Sequence, residues 1–344
     1  MALRLRRLLV TGGAGFIGSA FVRDRLRGDQ EIEITVLDKL TYAGSEENLA
    51  EVAGDPRLRF VRGDIAEAAD VDPVAKDADA IANFAAESHV DRSLMDAGAF
   101  VRTDVYGTYV LLEAARKFRH QRFLQVSTDE VYGEVKEGKS REEDPLKPRS
   151  PYAASKAGAE MLVQAYQVSY DLPTLVTRGS NTFGPYQFPE KIIPLFITNA
   201  LQGLPLPIYG NGSAVRDYIY VDDHAAGIAR VLWKGDPGRV YNLGAGHEVS
   251  GVQVADAVLD HCARPKSLKH FVKDRPGHDY RYALDTRRVR PLGWEPQVDF
   301  RRGIELTVSW YRSHEDWWRR RKSADFWDYY RRNYRGLPAN AVPP

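Results

Sequence analysis

A chain of 344 residues, 43% hydrophobic and 28% charged, has room for two domains or for one large domain with an appended lobe, and needs no disulfide or metal staple. Lys and Arg number 48 against 47 Asp and Glu, and a net charge of +1 argues against a dedicated nucleic-acid binder. The single cysteine, Cys262, excludes an intrachain disulfide and a cysteine metal cage and fits a reducing cytoplasmic compartment, while no apolar run approaches the ~18–20 residues of a membrane span.

The basic start leads into a strand and a glycine loop rather than a cleavable apolar segment. Leu8–Val10 reads as a buried strand, Ser19–Arg27 as a helix, and Ile32–Leu37, Arg59–Arg62 and Ala80–Phe84 as further strands. Val101–Phe118 reads as a helix and Phe123–Val126 as a strand. Ser150-Pro151 then caps and opens a helix to about Tyr170, followed by a strand at Thr174–Arg178. Strands alternating with helices predict a doubly wound, Rossmann-type parallel α/β sheet over residues 1–180. Beyond Asn181, prolines and glycines break the alternation, which predicts a smaller loop-rich lobe over 181–334 and a tail over 335–344. Strand-like runs at Asp217–Val221 and Arg239–Leu243 suggest that 217–243 returns to the first domain. The aromatic, Arg-rich stretch Trp310–Tyr334 reads as a terminal helix packed on the body, in preference to a nucleic-acid stacking surface.

Three constellations carry chemistry. Gly12, Gly15 and Gly18 follow the first strand and open a helix, the context in which glycines let a backbone approach a pyrophosphate at a helix N-terminus. Asp38 ends the next strand, 20 residues beyond Gly18, where a carboxylate accepts bonds from the adenosine ribose and repels a 2′-phosphate, which favours NAD over NADP. Asp64, after the third strand, is expected near the adenine. Tyr152 and Lys156 share one face of a helix, and an ammonium beside a phenol lowers its pKa toward that of a usable base. Alone, such a pair is an ordinary surface contact; the glycine loop upstream gives it meaning. Thr128-Asp129-Glu130 follows the fifth strand at the carboxyl edge where such sheets bind ligands. Both carboxyls reach one substrate only if the backbone has already left the strand, and they divide into acid and base if their surroundings separate their pKa values. His89 and His278 have no partner at metal-ligand spacing, so no metal is expected.

The Gly12–Gly18 loop with Tyr152/Lys156 resembles the signature of the extended short-chain dehydrogenase/reductase superfamily. Within it, Asn83–Ser93, Val126–Gly133, Gly184–Lys191, Tyr209–Gly212, Val215–Asp217 and Arg275–Asp279 are similar, in order, to the dTDP-glucose 4,6-dehydratases. That resemblance implies NAD as cofactor and dTDP-glucose as substrate, with C4 oxidation, loss of water across C5–C6 and hydride return to C6. It gives Tyr152 the 4-hydroxyl proton, Glu130 the C5 proton, Asp129 the proton for the leaving 6-hydroxyl and Thr128 a bond to the 4-oxygen. Phe16, Ile17, Lys39, Ile65, Phe84, Ala85, Ala86, Thr103 and Thr182 are implied against the cofactor, and Lys156 against its ribose. Ser88, Asn181, Glu190, Lys191, Pro207, Tyr209, Arg216, Asn242, Arg275 and His278 are implied around the nucleotide sugar. Asn242 also reads as an ordinary structural residue. A homodimer formed through helices 101–118 and 151–170 is implied too.

The chain departs from the pattern at Thr182-Phe183, where Asn-Tyr is usual, at Asn211, where Asp is more frequent, and at Tyr218, where Trp is usual. These changes bear on the base of the nucleotide more than on the reaction. Three other nucleotide-sugar chemistries share the scaffold: a UDP-sugar 4,6-dehydratase, a 4-epimerase with no need of the Asp129–Glu130 couple, and a UDP-glucuronate decarboxylase with no need of an acid at C6. A non-catalytic NAD-sensing regulator would be expected to have lost Tyr152, Lys156 or the carboxylates, and all are present.

Overall fold

Seven short apolar runs become the parallel strands of one sheet in the computed structural model of the chain, which describes residues 3, 5–274, 279–334, 336–338 and 341. In chain order the strands are β1 (Arg7–Thr11), β2 (Glu33–Asp38), β3 (Leu58–Arg62), β4 (Ala80–Asn83), β5 (Arg122–Thr128), β6 (Thr174–Gly179), β7 (Asn181–Phe183), β8 (Leu206–Tyr209), β9 (Val215–Tyr220), β10 (Val240–Leu243), β11 (Glu248–Ser250) and β12 (Lys269–Val272). The helices are α1 (Phe16–Gly28), α2 (Ala68–Ala75), α3 (Val90–Ser93), α4 (Ala97–Phe100), α5 (Thr108–Lys117), α6 (Pro151–Tyr170), α7 (Ile192–Gln202), α8 (Val221–Lys234), α9 (Gly251–Cys262), α10 (Phe300–Ser313), α11 (Glu315–Arg321) and α12 (Ala324–Asn333). The large sheet has the order β10-β6-β5-β4-β1-β2-β3.

Because successive side chains on a strand point to opposite faces, β1 feeds two cores. Leu8 and Val10 pack with Phe21 and Val22 of α1 and Ile228 and Leu232 of α8. Leu9, on the other face, packs with Val71 of α2, Leu111 of α5 and Val163 of α6. Helix α6 begins as its sequence predicts: the Ser150 hydroxyl accepts the Ala153 N–H at 3.1 Å and Pro151 occupies the first turn.

The second lobe has its own core, in which Phe196 of α7, Val258 of α9, Tyr311 and Trp318 meet between a three-stranded sheet (β11-β9-β7) and a two-stranded one (β12-β8). Three expectations are corrected here. Of 217–243, only α8 and β10 rejoin the large sheet; β9 pairs with β7 and β11 in the lobe. The expected helix 101–118 opens with a π-helical stretch, Val101–Gly107, before turning regular. The expected single terminal helix is three, α10, α11 and α12, broken near His314 and Lys322 so that short segments can follow the curved surface of the lobe.

Candidate active site

The carboxyl ends of six neighbouring strands, β6-β5-β4-β1-β2-β3, open onto one crevice, because parallel strands all end at the same edge of the sheet. Gly12, Gly15, Phe16, Ile17 and Gly18 line it after β1, Asp38 and Lys39 after β2, and Asp64 and Ile65 after β3. Phe84, Ala85, Ala86 and Ser88 follow β4, with Thr103 from the π-helical stretch beside them. Thr128, Asp129 and Glu130 come from β5, Tyr152 from α6, Asn181 and Thr182 from β7, and Glu190 and Lys191 from the entry to α7.

The left side of this crevice fits a dinucleotide. Helix α1 starts at Gly15, and a Cβ at Gly18 would run into the carbonyl oxygen of Gly12, so only glycine lets the helix start this close to the strand. Asp38 accepts the N–H groups of Ala14 (2.9 Å) and Leu40 (2.8 Å), which fixes its carboxylate at the crevice wall, although burial raises its pKa. Lys39 Nζ donates to Asp64 at 2.7 Å and closes the adenosine end. Further along, Ser127 Oγ, Ser180 Oγ, Asn181 Oδ1 and Gln187 Oε1 are buried without a partner among the described residues, and the residues that carry them line the crevice.

At the centre, β5 ends at Thr128 and a 3-10 turn, Asp129–Tyr132, follows at once. The turn solves the problem of adjacent carboxyls on a strand: both Asp129 and Glu130 line the same crevice. Thr128 Oγ1 caps the turn by accepting the Glu130 N–H. Gly133 leaves it with φ +75°, where a Cβ would strike the carbonyl of Lys147. Asp129 is buried, and burial, Glu130 and Asp217 together push its carboxyl well above the ordinary range, against a smaller opposing effect of Arg216 and the Thr128 hydrogen bond. Its Oδ2 has no partner among the described residues.

The turn rests on a buried platform that the sequence reading missed. Arg178 and Glu160 form a buried ion pair at 2.7 Å, and Arg178 Nη1 donates to the Tyr132 hydroxyl at 2.7 Å. Tyr132 donates in turn to Asn242 Oδ1 at 2.8 Å. Asp104 was missed as well: it accepts the Glu87 N–H at 2.9 Å and the Ser155 hydroxyl at 2.6 Å, and burial raises its pKa to about 6. A buried carboxylate in the middle of a predicted helix was the available signal.

Several expectations need correction. Tyr152 and Lys156 both belong to α6; the buried Lys156 ammonium donates to the Val126 carbonyl at 2.7 Å, and the phenol's pKa is raised well above normal by burial and by Glu130 and Asp104, with the Thr128 hydrogen bond pulling the other way. Asn242 is fully buried and its amide is spent on Ser140 O, Asp285 O and Tyr132, so it holds the platform rather than facing ligand. Pro207, Tyr209 and Arg216 do not line the crevice. Tyr209 OH accepts from Asn333 at 2.6 Å and lies 3.4 Å from Asp91. Arg216 stacks on Tyr282 and donates to the carbonyls of Val215, Tyr280 and Asp279. Glu190 does line the crevice, but it accepts Tyr42 OH at 2.6 Å and Arg92 Nε at 3.0 Å, joining the two lobes. Lys191 Nζ donates to the carbonyl of Ser88 at 2.5 Å. Arg275 and His278 lie outside the described residues. Among the described residues, no three His, Cys, Asp or Glu side chains are grouped to hold a metal, and no helix is long and apolar enough to cross a membrane.

Comparison with known proteins adds a separate line of support. Residues 9–307 match the family model described as GDP-mannose 4,6 dehydratase. The low-salt glycan biosynthesis protein Agl12 of Haloferax volcanii is 53% identical over 304 residues, 88% of this chain and 98% of that protein. A dTDP-glucose 4,6-dehydratase of Streptomyces niveus is 49% identical, covering 93% of this chain and 96% of its own. The crystal structure of a double mutant of the dTDP-glucose 4,6-dehydratase DesIV from Streptomyces venezuelae, with NAD bound, superposes with a TM-score of 0.90 at 49% identity over 92% of this chain and 100% of that one. With Gly12–Gly18, Asp38, Thr128–Glu130 and Tyr152 gathered in one crevice, this chain belongs to the dTDP-glucose 4,6-dehydratase family of the extended short-chain dehydrogenases/reductases.

Proposed function

We propose that the chain is an NAD-dependent hydro-lyase that converts dTDP-glucose to dTDP-4-keto-6-deoxy-glucose and water. The observation that carries this reading is the carboxyl pair on the turn after β5: a buried Asp129, whose pKa burial and Glu130 raise, next to Glu130, in one crevice with Tyr152. An epimerase or a decarboxylase needs no proton donor at C6; a dehydratase does. When bound along the glycine loop and Asp38, NAD+ supplies a cationic nicotinamide and takes the C4 hydride, later delivering it to C6. Tyr152 removes the 4-hydroxyl proton, and Thr128 bonds the 4-oxygen. The ketone at C4 acidifies C5, whose proton Glu130 removes, while Asp129 gives its own proton to the departing 6-hydroxyl; once hydride has returned to C6, C5 is reprotonated to give the 4-keto-6-deoxy product. The cycle is redox-neutral, so the protein should carry its cofactor through turnover.

The test offers dTDP-, UDP-, CDP- and GDP-glucose in parallel, without added reductant, and follows the alkaline absorbance of the 4-keto sugar. Turnover of dTDP-glucose with NAD recovered from the denatured protein supports the reading; a strict need for NADPH, or no 4-keto sugar from any nucleotide, overturns it. Cytoplasmic residence and a homodimer belong to the same proposal. Exposed Val101, Tyr106 and Tyr109 on one helical segment and Met161, Val168 and Tyr170 on α6 suit a four-helix contact between two copies. Light scattering that finds a monomer at working concentration removes that part.

A further inference from the structure

Tyr152, Lys156 and Glu160 recur every four residues along α6 and so share one stripe of the helix. Tyr152 lines the crevice, Lys156 reaches the Val126 carbonyl of β5, and the fully buried Glu160 holds Arg178 of β6, whose Nε and Nη2 donate to it at 3.0 and 2.7 Å. The chemistry described above leaves Glu160 without a task. An ion pair taken out of water is costly unless its remaining donors are also satisfied. Arg178 spends its third nitrogen, Nη1, on the Tyr132 hydroxyl at 2.7 Å and on the Glu142 carbonyl at 3.3 Å. Tyr132 passes its own hydrogen to Asn242 Oδ1 at 2.8 Å. Arg178 and Asn242 are register partners on β6 and β10, so the ladder of the large sheet sets the spacing of the two groups that grip the hydroxyl.

Tyr132 is the last residue of the 3-10 turn that opens with Asp129 and Glu130. Val131 and Tyr132 also pack on Ala157 of α6 and on Leu284, but apolar contact is non-directional and does not by itself fix where along the helix the turn sits. The chain Glu160–Arg178–Tyr132 is directional. It joins the helix that carries Tyr152 to the turn that carries both carboxyls, and none of its three members lines the crevice. The sugar ring is a single rigid body, with C4 owed to Tyr152, C5 to Glu130 and the 6-hydroxyl to Asp129. A turn that drifts along α6 leaves a sugar seated for oxidation but misplaced for elimination.

We propose that Tyr132, held by the Arg178–Glu160 pair, is a positioning residue for the elimination step: it gauges the separation of α6 from the carboxyl turn so that one pose of the sugar serves both oxidation and loss of water. The inference rests on the dehydratase reading above. Because the gauge touches neither sugar nor cofactor, its loss is felt only in the step that the turn performs. Tyr132→Phe removes the hydroxyl and keeps the ring against Ala157. Arg178→Lys keeps a cation beside Glu160 but has no planar fork with which to hold the hydroxyl as well.

The experiment mixes purified holoenzyme with a limiting amount of dTDP-glucose and follows a single turnover by two signals. The near-ultraviolet absorbance of reduced nicotinamide reports oxidation at C4, and the 4-keto-6-deoxy sugar in quenched samples reports elimination and hydride return. In Tyr132→Phe the rate of oxidation should stay within about twofold of wild type while product formation falls about tenfold to a hundredfold, the cost of a misplacement of up to about 1 Å. Arg178→Lys should show the same split, and it carries the test if Tyr132→Phe does not fold. A merely structural defect slows both signals alike; equal slowing, or product formed at the wild-type rate, overturns the gauge and leaves the dehydratase reading standing. A wild-type protein that forms no 4-keto sugar from any nucleotide-linked glucose overturns the dehydratase reading itself, and the gauge with it.

Discussion

Two groups of polar residues, those at the ends of the large sheet's strands and those of the second lobe expected at the ligand, are used differently. In the parallel sheet, side chains at the strand ends are left with unused bonding capacity: Ser127 Oγ, Asp129 Oδ2 and Ser180 Oγ are buried without partners among the described residues. In the second lobe, three of the groups that resemble substrate ligands in sequence are consumed by the protein, although Asn181 Oδ1 has no partner among the described residues. Glu190 is spent on Tyr42 and Arg92, Tyr209 on Asp91 and Asn333, and Arg216 on three carbonyls. A rigid sheet can leave polar atoms unmet because its backbone ladder holds them in place regardless. The second lobe has only ladders of two and three short strands, and the side-chain bonds of Glu190, Tyr209 and Arg216 add to them.

The largest effect should come from the strand-end carboxyls. Glu130→Gln and Asp129→Asn should each lower turnover by about 10²–10⁴-fold with the nucleotide sugar still bound, the usual contribution of a general acid or base. C5 deuterium exchange from solvent separates them: it should nearly vanish in Glu130→Gln and persist in part in Asp129→Asn. Reversed exchange would swap the roles, and turnover unaffected by either change would break the comparison at its stronger end.

Next comes Asp104, a sheet-side carboxyl that is bonded but costly. Its pKa in the folded chain is raised from 3.8 to about 6, first by burial, against the lowering effects of Lys156, Ser155 and the Glu87 N–H. The folded state therefore holds this proton more tightly than the unfolded chain. Its stabilising share is complete below pH 3.8 and is lost as pH rises through about 6. Asp104→Asn should gain up to about 3 kcal/mol at pH 7 and nothing near pH 3.5, measured by denaturant unfolding at both pH values. Equal effects at the two pH values would show that its hydrogen bonds, not its charge, decide the balance.

The smallest effect sharpens the other side. Tyr329 donates to Asp91 Oδ2 at 3.3 Å, a bond internal to the lobe contact. Tyr329→Phe should cost about 0.5–1.5 kcal/mol of stability and leave kcat/KM near the wild-type value. A large loss of kcat/KM would mean that this bond serves the ligand after all.

The large sheet was legible because its signals are local: hydrophobic runs of strand length, a glycine loop between strand and helix, and Ser150-Pro151 at the start of α6. The crevice followed, since strand ends share an edge. What escaped depends on contacts distant in sequence. Nothing near Asn242 announces that Tyr132, Ser140 and Asp285 will take its amide, and nothing near Thr182 announces a histidine 42 residues later. Lys156 illustrates a different limit: its spacing from Tyr152 was read correctly, but its ammonium turns to the Val126 carbonyl, a choice that sequence periodicity does not encode.

The bonds gathered on Asp91 also set an order of events during synthesis. Its Oδ2 lies within 3.4 Å of Tyr209, Tyr329 and Asn333, so two of the side chains that hold the segment after β4 come from the last helix, α12. The glycine loop, Asp38, Asp64 and the turn at Asp129 all lie in the first 133 residues and can take shape while the ribosome is still working. The nascent enzyme can thus hold a dinucleotide cradle well before it can close the sugar end, and a ribosome that stalls before codon 324 releases a protein with that end unmoored.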